Sequence, residues 1–277
     1  MTTPASARLT ELLSAMGDAG ARICAIDASE AGAGNISLCL RELPGVRAAF
    51  PHSEPLTLPL AAPALAGRVL LVTGSGRRLR QISADPLAAV GAVIVGDDGC
   101  EAELLTSPRR QFERLTSEFN SHLAVHDDRL RSHDLDLHAV VHAQPPHLTY
   151  LSHIPAYRDT RAMNERIMRW EPESVVALPQ GIGVLDFAVP GSPDLMSANV
   201  DGLRRHEIVL WSKHGVMSRS DVSVTRAVDR IEYAETGAKY EYMDLVAGGR
   251  AEGLTAREIA DVADAFGIDS SWAPHPA

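Results

Sequence analysis

Only three cysteines occur in 277 residues, Cys24, Cys39 and Cys100. They are too few and too scattered for a disulfide framework, and none forms the C-x-x-C pair of a cysteine-rich zinc site. Lysine is scarcer still. Of 26 lysines and arginines, only Lys213 and Lys239 are lysines. An enzyme working through a Schiff base must put one of them in a carbonyl pocket, yet Lys239 lies in a charged helical run and Lys213 adjoins His214. Positive charge is in deficit overall, with a net charge of −10. That argues against nucleic acid as the main partner, because binding a phosphate backbone needs a positive surface. Long apolar runs are missing too. Pro, Gly or charge interrupts each one well short of the roughly 20 residues of a membrane span. The opening Met1-Thr-Thr-Pro lacks the basic and apolar regions of a secretory signal. A soluble, cytoplasmic protein with no membrane partner is the expectation. Nucleotide loops are also absent. Gly32/Gly34, Gly74/Gly76 and Gly181/Gly183 each lack the third glycine of a dinucleotide fingerprint, since Ser37, Leu79 and Asp186 stand there. Ser75 is not a hydrolase nucleophile, because Thr73 and Arg77 occupy the places where G-x-S-x-G needs glycine.

What the chain does have is a hydrophobic fraction of 45% against 22% charged residues, the balance of a globular protein long enough for a sizeable core. Helical spacing of Leu9, Leu12, Leu13, Met16 and Ala19 predicts a helix over 5–21. Strands are expected near 36–40, 69–72, 90–95, 138–142, 174–178 and 208–213. Helices are expected over 116–130, 147–152, 160–170, 193–204, 221–246 and 255–266. Residues 51–65 read as a Pro-rich loop and 101–105 as a polar stretch. Strands and helices interleave without a repeat or a long linker, so residues 1–277 are expected to form a single α/β domain, a sheet covered by helices.

Three places carry possible chemistry. Thr73-Gly-Ser-Gly76 ends a strand in small residues, as either a tight turn or an anion cup of backbone N–H groups. Glu118 follows Thr116-Ser117 at a predicted helix start. Hydroxyl caps and a carboxylate suit the positive end of a helix, and the same end can bind phosphate. His142 and Gln144 share one face at a strand's end, and His214 ends a later strand. Two strand-end histidines and a carboxylate can make an open metal site; they can equally be satisfied core side chains.

In their order along the chain, these segments resemble the class II aldolase/adducin family. The resemblance covers about Gly32 to Gly249. It is carried by Gly34-Asn-Ile-Ser37, Val72-Thr-Gly-Ser-Gly76, Thr116-Ser-Glu118, Val141-His142, Pro179-Gln-Gly-Ile-Gly183, Val189-Pro-Gly191 and Val209-Leu-Trp-Ser-Lys-His-Gly-Val216. The resemblance implies a three-layer α/β/α domain with a central mixed sheet, a homotetramer with shared active sites, and a divalent metal, zinc in the family. By position, His142 and His214 correspond to metal ligands and Glu118 to the catalytic acid/base. Gly34, Asn35, Ser75, Gly76, Thr116 and Ser117 correspond to a phosphate pocket. Glu173 corresponds to a second catalytic glutamate acting from a neighbouring subunit, with Glu171 two residues away.

One position departs from the family pattern. Where H-x-H is usual, Gln144 stands in place of the second histidine. An amide oxygen is a weaker zinc donor than imidazole and suits harder cations better. Gln144 is the expected third ligand, with His147 as a substitute that Pro145 and Pro146 restrict. Glu118 completing the shell and loss of the metal are the remaining outcomes. The implied activity is cleavage of a ketose 1-phosphate into dihydroxyacetone phosphate and a small aldehyde. A sugar-phosphate epimerase, a decarboxylase, a dehydratase and a non-catalytic adducin-like module are the alternatives.

Overall fold

The computed structural model describes residues 4–269 and Trp272. Nine strands form one sheet: β1 (Asn35–Leu40), β2 (His52–Thr57), β3 (Val69–Thr73), β4 (Val90–Val95), β5 (Glu101–Thr106), β6 (Leu137–Ala143), β7 (Gly183–Leu185), β8 (Ile208–Trp211) and β9 (Gly215–Ser220). Their order is β2-β5-β4-β3-β1-β6-β9-β8-β7. All neighbours are antiparallel except β7 and β8, whose parallel pairing makes the sheet mixed. The α-helices are α1 (Pro4–Ala25), α2 (Val46–Ala49), α3 (Pro86–Ala89), α4 (Phe119–Ser132), α5 (Pro146–Leu151), α6 (Thr160–Ile167), α7 (Pro172–Ala177), α8 (Pro193–Arg205), α9 (Val224–Ala247) and α10 (Ala256–Phe266).

Helices cover both faces of the central strands, so all six residues of β1 are buried. Alternation divides them. Ile36, Leu38 and Leu40 join the core built with α1 and α9. Asn35, Ser37 and Cys39 point the other way, where Leu123 of α4 and Cys39 share a second core. The three-layer α/β/α arrangement follows directly.

Several expected elements differ in the structure. Residues 174–177 are helical, not a strand, and Leu178 caps that helix. Pro172 opens α7 at its first turn and Glu173 sits at the positive end, which outweighs the β-preference of Val175 and Val176. Residues 52–57 form β2, an exposed edge strand whose Pro55 hid it. The stretch at 101 is β5, half-exposed and so lacking an apolar run. β7 and β9 were not expected at all. Helix α4 begins at Phe119, with Glu118 at its N-cap position.

Between α4 and the sheet lie three fully buried histidines, His122, His126 and His138. Burial holds all three below the usual imidazole value, His122 at about 3. They are therefore neutral in the fold, while the unfolded chain protonates them below pH 6.5. The unfolded state then binds more protons, so stability rises with pH. Acidification below pH 6.5 is expected to remove about 1.4 kcal/mol per pH unit for each buried histidine. Urea unfolding midpoints between about pH 6.5 and 4.5 measure this; a level midpoint would mean that these rings carry charge in the fold.

Candidate active site

The site forms where three strand ends and one helix start converge. In the β1–β6 register Asn35 faces His142, so both side chains emerge on the α4 side of the sheet. In the β8–β9 hairpin Trp211 pairs with Gly215 and the turn between them presents His214. Lys213 takes the left-handed conformation in this turn (φ 66°), a strained one for a residue with a side chain. Its N–H donates to Ser152 Oγ (2.7 Å), which helps hold the turn. Gly215 is needed because a Cβ there would lie 2.4 Å from the Ala143 carbonyl oxygen. Gly34 leads into β1 at φ 81°, where a side chain is disfavoured.

His142 is 1% exposed. Its Nδ1 donates to the Val216 carbonyl (2.8 Å), and its ring stacks on Trp211 at 4.6 Å between centroids. A neutral ring protonated at Nδ1 leaves Nε2 as a bare lone pair. That Nε2 lies 3.5 Å from Glu118 Oε2, and His214 Nε2 lies 3.6 Å from Glu118 Oε1. These separations are too long for hydrogen bonds but suit donors sharing an ion at about 2.1 Å. One donor atom from each of Glu118, His142 and His214 falls within 4.8 Å of the others. His214 Nδ1 is buried without a hydrogen-bond partner. The donor set fits a divalent cation.

Glu118 is 5% exposed at the start of α4. Burial opposes its ionisation, but His142, the Asn35 amide and His214 together hold its carboxyl below the usual carboxylate value. His214 is lowered by burial and by the neighbouring His142. Glu118 is thus an anion facing two imidazoles. Asn35 Nδ2 donates to Glu118 Oε2 at 2.8 Å. The Asn35 side chain therefore holds the carboxylate while it also lines the pocket.

A pocket of about 230 Å³ brings together Gly34, Asn35, Ser75, Gly76, Thr116, Ser117, Glu118, His142, Gln144 and His214. Of the residues expected at the site, Glu173 does not line it; it is exposed on the first turn of α7. Two amides of the expected phosphate cup are already used: Ser75 N–H donates to the Arg114 carbonyl (2.9 Å) and Thr116 N–H to that of Thr73 (3.1 Å). Ser75 and Ser117 line the pocket beside Gly34 and Gly76. The Thr116 hydroxyl accepts from Glu118 N–H (3.3 Å), fixing the turn before α4.

Turned so that its nitrogen meets acceptors, the Gln144 amide donates to both carboxylate oxygens of Glu30 (2.5 and 3.1 Å). Glu30 was not foreseen; an exposed acidic residue 114 positions away carries no sequence signal of this contact. His147 does not line this pocket. Its Nδ1 is hydrogen-bonded to Glu235 Oε1 at 2.6 Å. Neither lysine lines the pocket, and both are exposed.

A family model described as the class II aldolase and adducin N-terminal domain matches residues 15–242. Rhamnulose-1-phosphate aldolase from Escherichia fergusonii is 28% identical over 219 residues, spanning 78% of this chain and 79% of its own. The crystal structure of a sugar-phosphate aldolase from Thermotoga maritima is similar with a TM-score of 0.74 and 27% identity, covering 88% of this chain and 99% of that one. L-fuculose-1-phosphate aldolase from Thermus thermophilus shares the fold at 18% identity, with a TM-score of 0.55 and coverage of 88% and 100%.

Two substitutions test the donor set by calorimetric metal titration. Glu30→Ala, which frees the Gln144 amide, is expected to weaken divalent-metal binding about 10-fold. Gln144→His is expected to tighten zinc relative to harder cations. Unchanged affinities in both variants would place Gln144 outside the metal's coordination.

Proposed function

The chain belongs to the class II aldolase and adducin family, and on that premise we propose that it cleaves a ketose 1-phosphate of the rhamnulose 1-phosphate type into dihydroxyacetone phosphate and a small aldehyde such as lactaldehyde. With relatives named as aldolases, it is a metal-dependent lyase. The observation that carries the reading is the meeting of Glu118, His142 and His214 in the pocket that also gathers residues 34–35, 75–76 and 116–117.

His142, His214 and Gln144 would hold the divalent ion, zinc in this reading. When bound, the ion supplies polarisation of the substrate ketone and stabilisation of the negative charge left as the carbon–carbon bond breaks. Glu118 moves the proton at the nucleophilic carbon of the dihydroxyacetone phosphate fragment. Its neighbours keep it ionised, and the start of α4 adds favourable potential for the anion. The Ser75 and Ser117 hydroxyls, with the small residues Gly34 and Gly76, take the phosphate. With both lysines outside the pocket, the site has no amine for an imine mechanism.

We further place Glu173 at the pocket of a neighbouring subunit in a homotetramer. Support comes from its exposure on one protomer and from Phe187 and Val189, 58% and 65% exposed beside the pocket residue Pro190. Such apolar exposure suits a subunit contact. A cytoplasmic role in rhamnose metabolism goes with this reading. Among the described residues no helix is long and apolar enough to cross a membrane.

The assay is release of dihydroxyacetone phosphate from rhamnulose 1-phosphate, with all products read by NMR. Glu118→Gln is expected to keep the fold and the metal and to lose about 10²- to 10⁴-fold in kcat. Full activity in that variant would move the proton transfer elsewhere. A metal-loaded protein releasing no dihydroxyacetone phosphate from any ketose 1-phosphate would remove the aldolase reading, and an epimerised, dehydrated or decarboxylated product would name its replacement.

A further inference from the structure

Behind the pocket a line of polar side chains runs through the core between α4 and the sheet. Ser37, His122, His126 and His138 are each 0% exposed. The contacts are continuous: Asn35 Oδ1 to His122 Nε2 (2.5 Å), His122 Nδ1 to Ser37 Oγ (2.6 Å), Ser37 Oγ to His126 Nε2 (2.7 Å), and His126 Nδ1 to His138 Nδ1 (2.8 Å).

The direction of every bond follows from the first. Asn35 Nδ2 faces the Glu118 carboxylate, so Asn35 Oδ1 must accept from His122 Nε2–H. A neutral imidazole carries one N–H. His122 Nδ1 is therefore bare and accepts the Ser37 hydroxyl proton. With its one proton used, Ser37 Oγ accepts from His126 Nε2–H. His126 Nδ1 is then bare and accepts from His138 Nδ1–H. Every donor points toward Glu118. Neutrality of the three rings is what burial imposes on them.

The far end meets an ion cluster. His138 Nε2 lies 3.8 Å from Asp221 Oδ1, and Arg219 Nη1 lies 3.5 Å from the same oxygen. Arg129 grips Asp221 with its Nη2 at 2.5 Å from Oδ2. Apolar side chains of similar volume would fill this space at no loss of stability, because each buried polar group must first recover its desolvation cost. A hydrogen-bond chain specifies direction, which packing alone does not.

We propose that His122, Ser37, His126 and His138 are positioning residues for Glu118. They fix the Asn35 amide with its nitrogen toward the carboxylate, anchoring Oε2 and leaving Oε1 to the pocket. The catalytic part of this role rests on the aldolase reading; the chain itself does not.

The wild-type protein supplies the first test. Nitrogen-15 NMR of the imidazoles is expected to show Nε2–H tautomers at His122 and His126 and an Nδ1–H tautomer at His138. Any other tautomer at one of them overturns the proposal. Ser37→Ala then cuts the chain in the middle with the smallest change of volume. It is expected to lower kcat about 10-fold with KM and metal content unchanged, to mix the tautomers of His122, and to be rescued by Ser37→Thr, which keeps the hydroxyl. A folded, metal-loaded Ser37→Ala with wild-type kcat overturns the proposal. If the wild type turns over no ketose 1-phosphate, the aldolase reading has failed separately. Solvent exchange of the His122 Nε2 proton then decides: faster exchange in Ser37→Ala supports the chain, and unchanged exchange overturns it.

Discussion

The pairing of Asn35 with His142 across β1 and β6 is the constraint on which the site depends. Side chains alternate along a strand, so a slip of one residue would turn His142 into the α1–α9 core and put Val141 at the pocket. The register is secured by what lies further along. Ile36, Leu38 and Leu40 fit one core while Ser37 and Cys39 fit the other layer, and fully burying each large apolar side chain contributes about 2 kcal/mol. A hydrophobic pattern therefore places an imidazole beside a carboxylate to which it has no sequence proximity.

Around that pairing the chain shows two ways of handling buried polarity. At the pocket, His142 and His214 present their Nε2 atoms to Glu118 without hydrogen-bonding it, an arrangement that an ion completes. Behind the pocket, the same residue type is closed into a run of short hydrogen bonds. Asn35 joins the two regions, donating to Glu118 on one side and accepting from His122 on the other.

Gln144 shows how a departure from a family pattern is absorbed. An amide stands where the family pattern has an imidazole, and Glu30 takes its nitrogen once the amide is turned to meet acceptors. The nearby carboxylate also adds negative potential, favourable for a cation and felt at His214. In the proposed site, an amide oxygen in place of an imidazole would favour harder cations.

How far the molecule was legible from its sequence depended on whether the signal was local. Helices α1, α8, α9 and α10 carry their own periodicity and caps, and β4 is an apolar run between breakers, so all were read to within a few residues. The edge strand β2 and its neighbour β5 were missed because an exposed strand need not be apolar. Residues 174–178 were misread because two valines suggest a strand while Pro172 starts a helix. At the site, the ordered motifs pointed to Glu118, His142 and His214, which the fold brings together, and to Gln144 at the place where the pattern departs. Contacts such as Glu30 with Gln144, Glu235 with His147, and Ser37 with His122 and His126 join residues far apart in the chain and are set by how helices pack on the sheet. Which nitrogen carries a proton, and which way an amide faces, is decided by neighbours in space. The amino-acid order settled what chemistry was available; the folded arrangement alone decided which groups meet and in which direction their protons point.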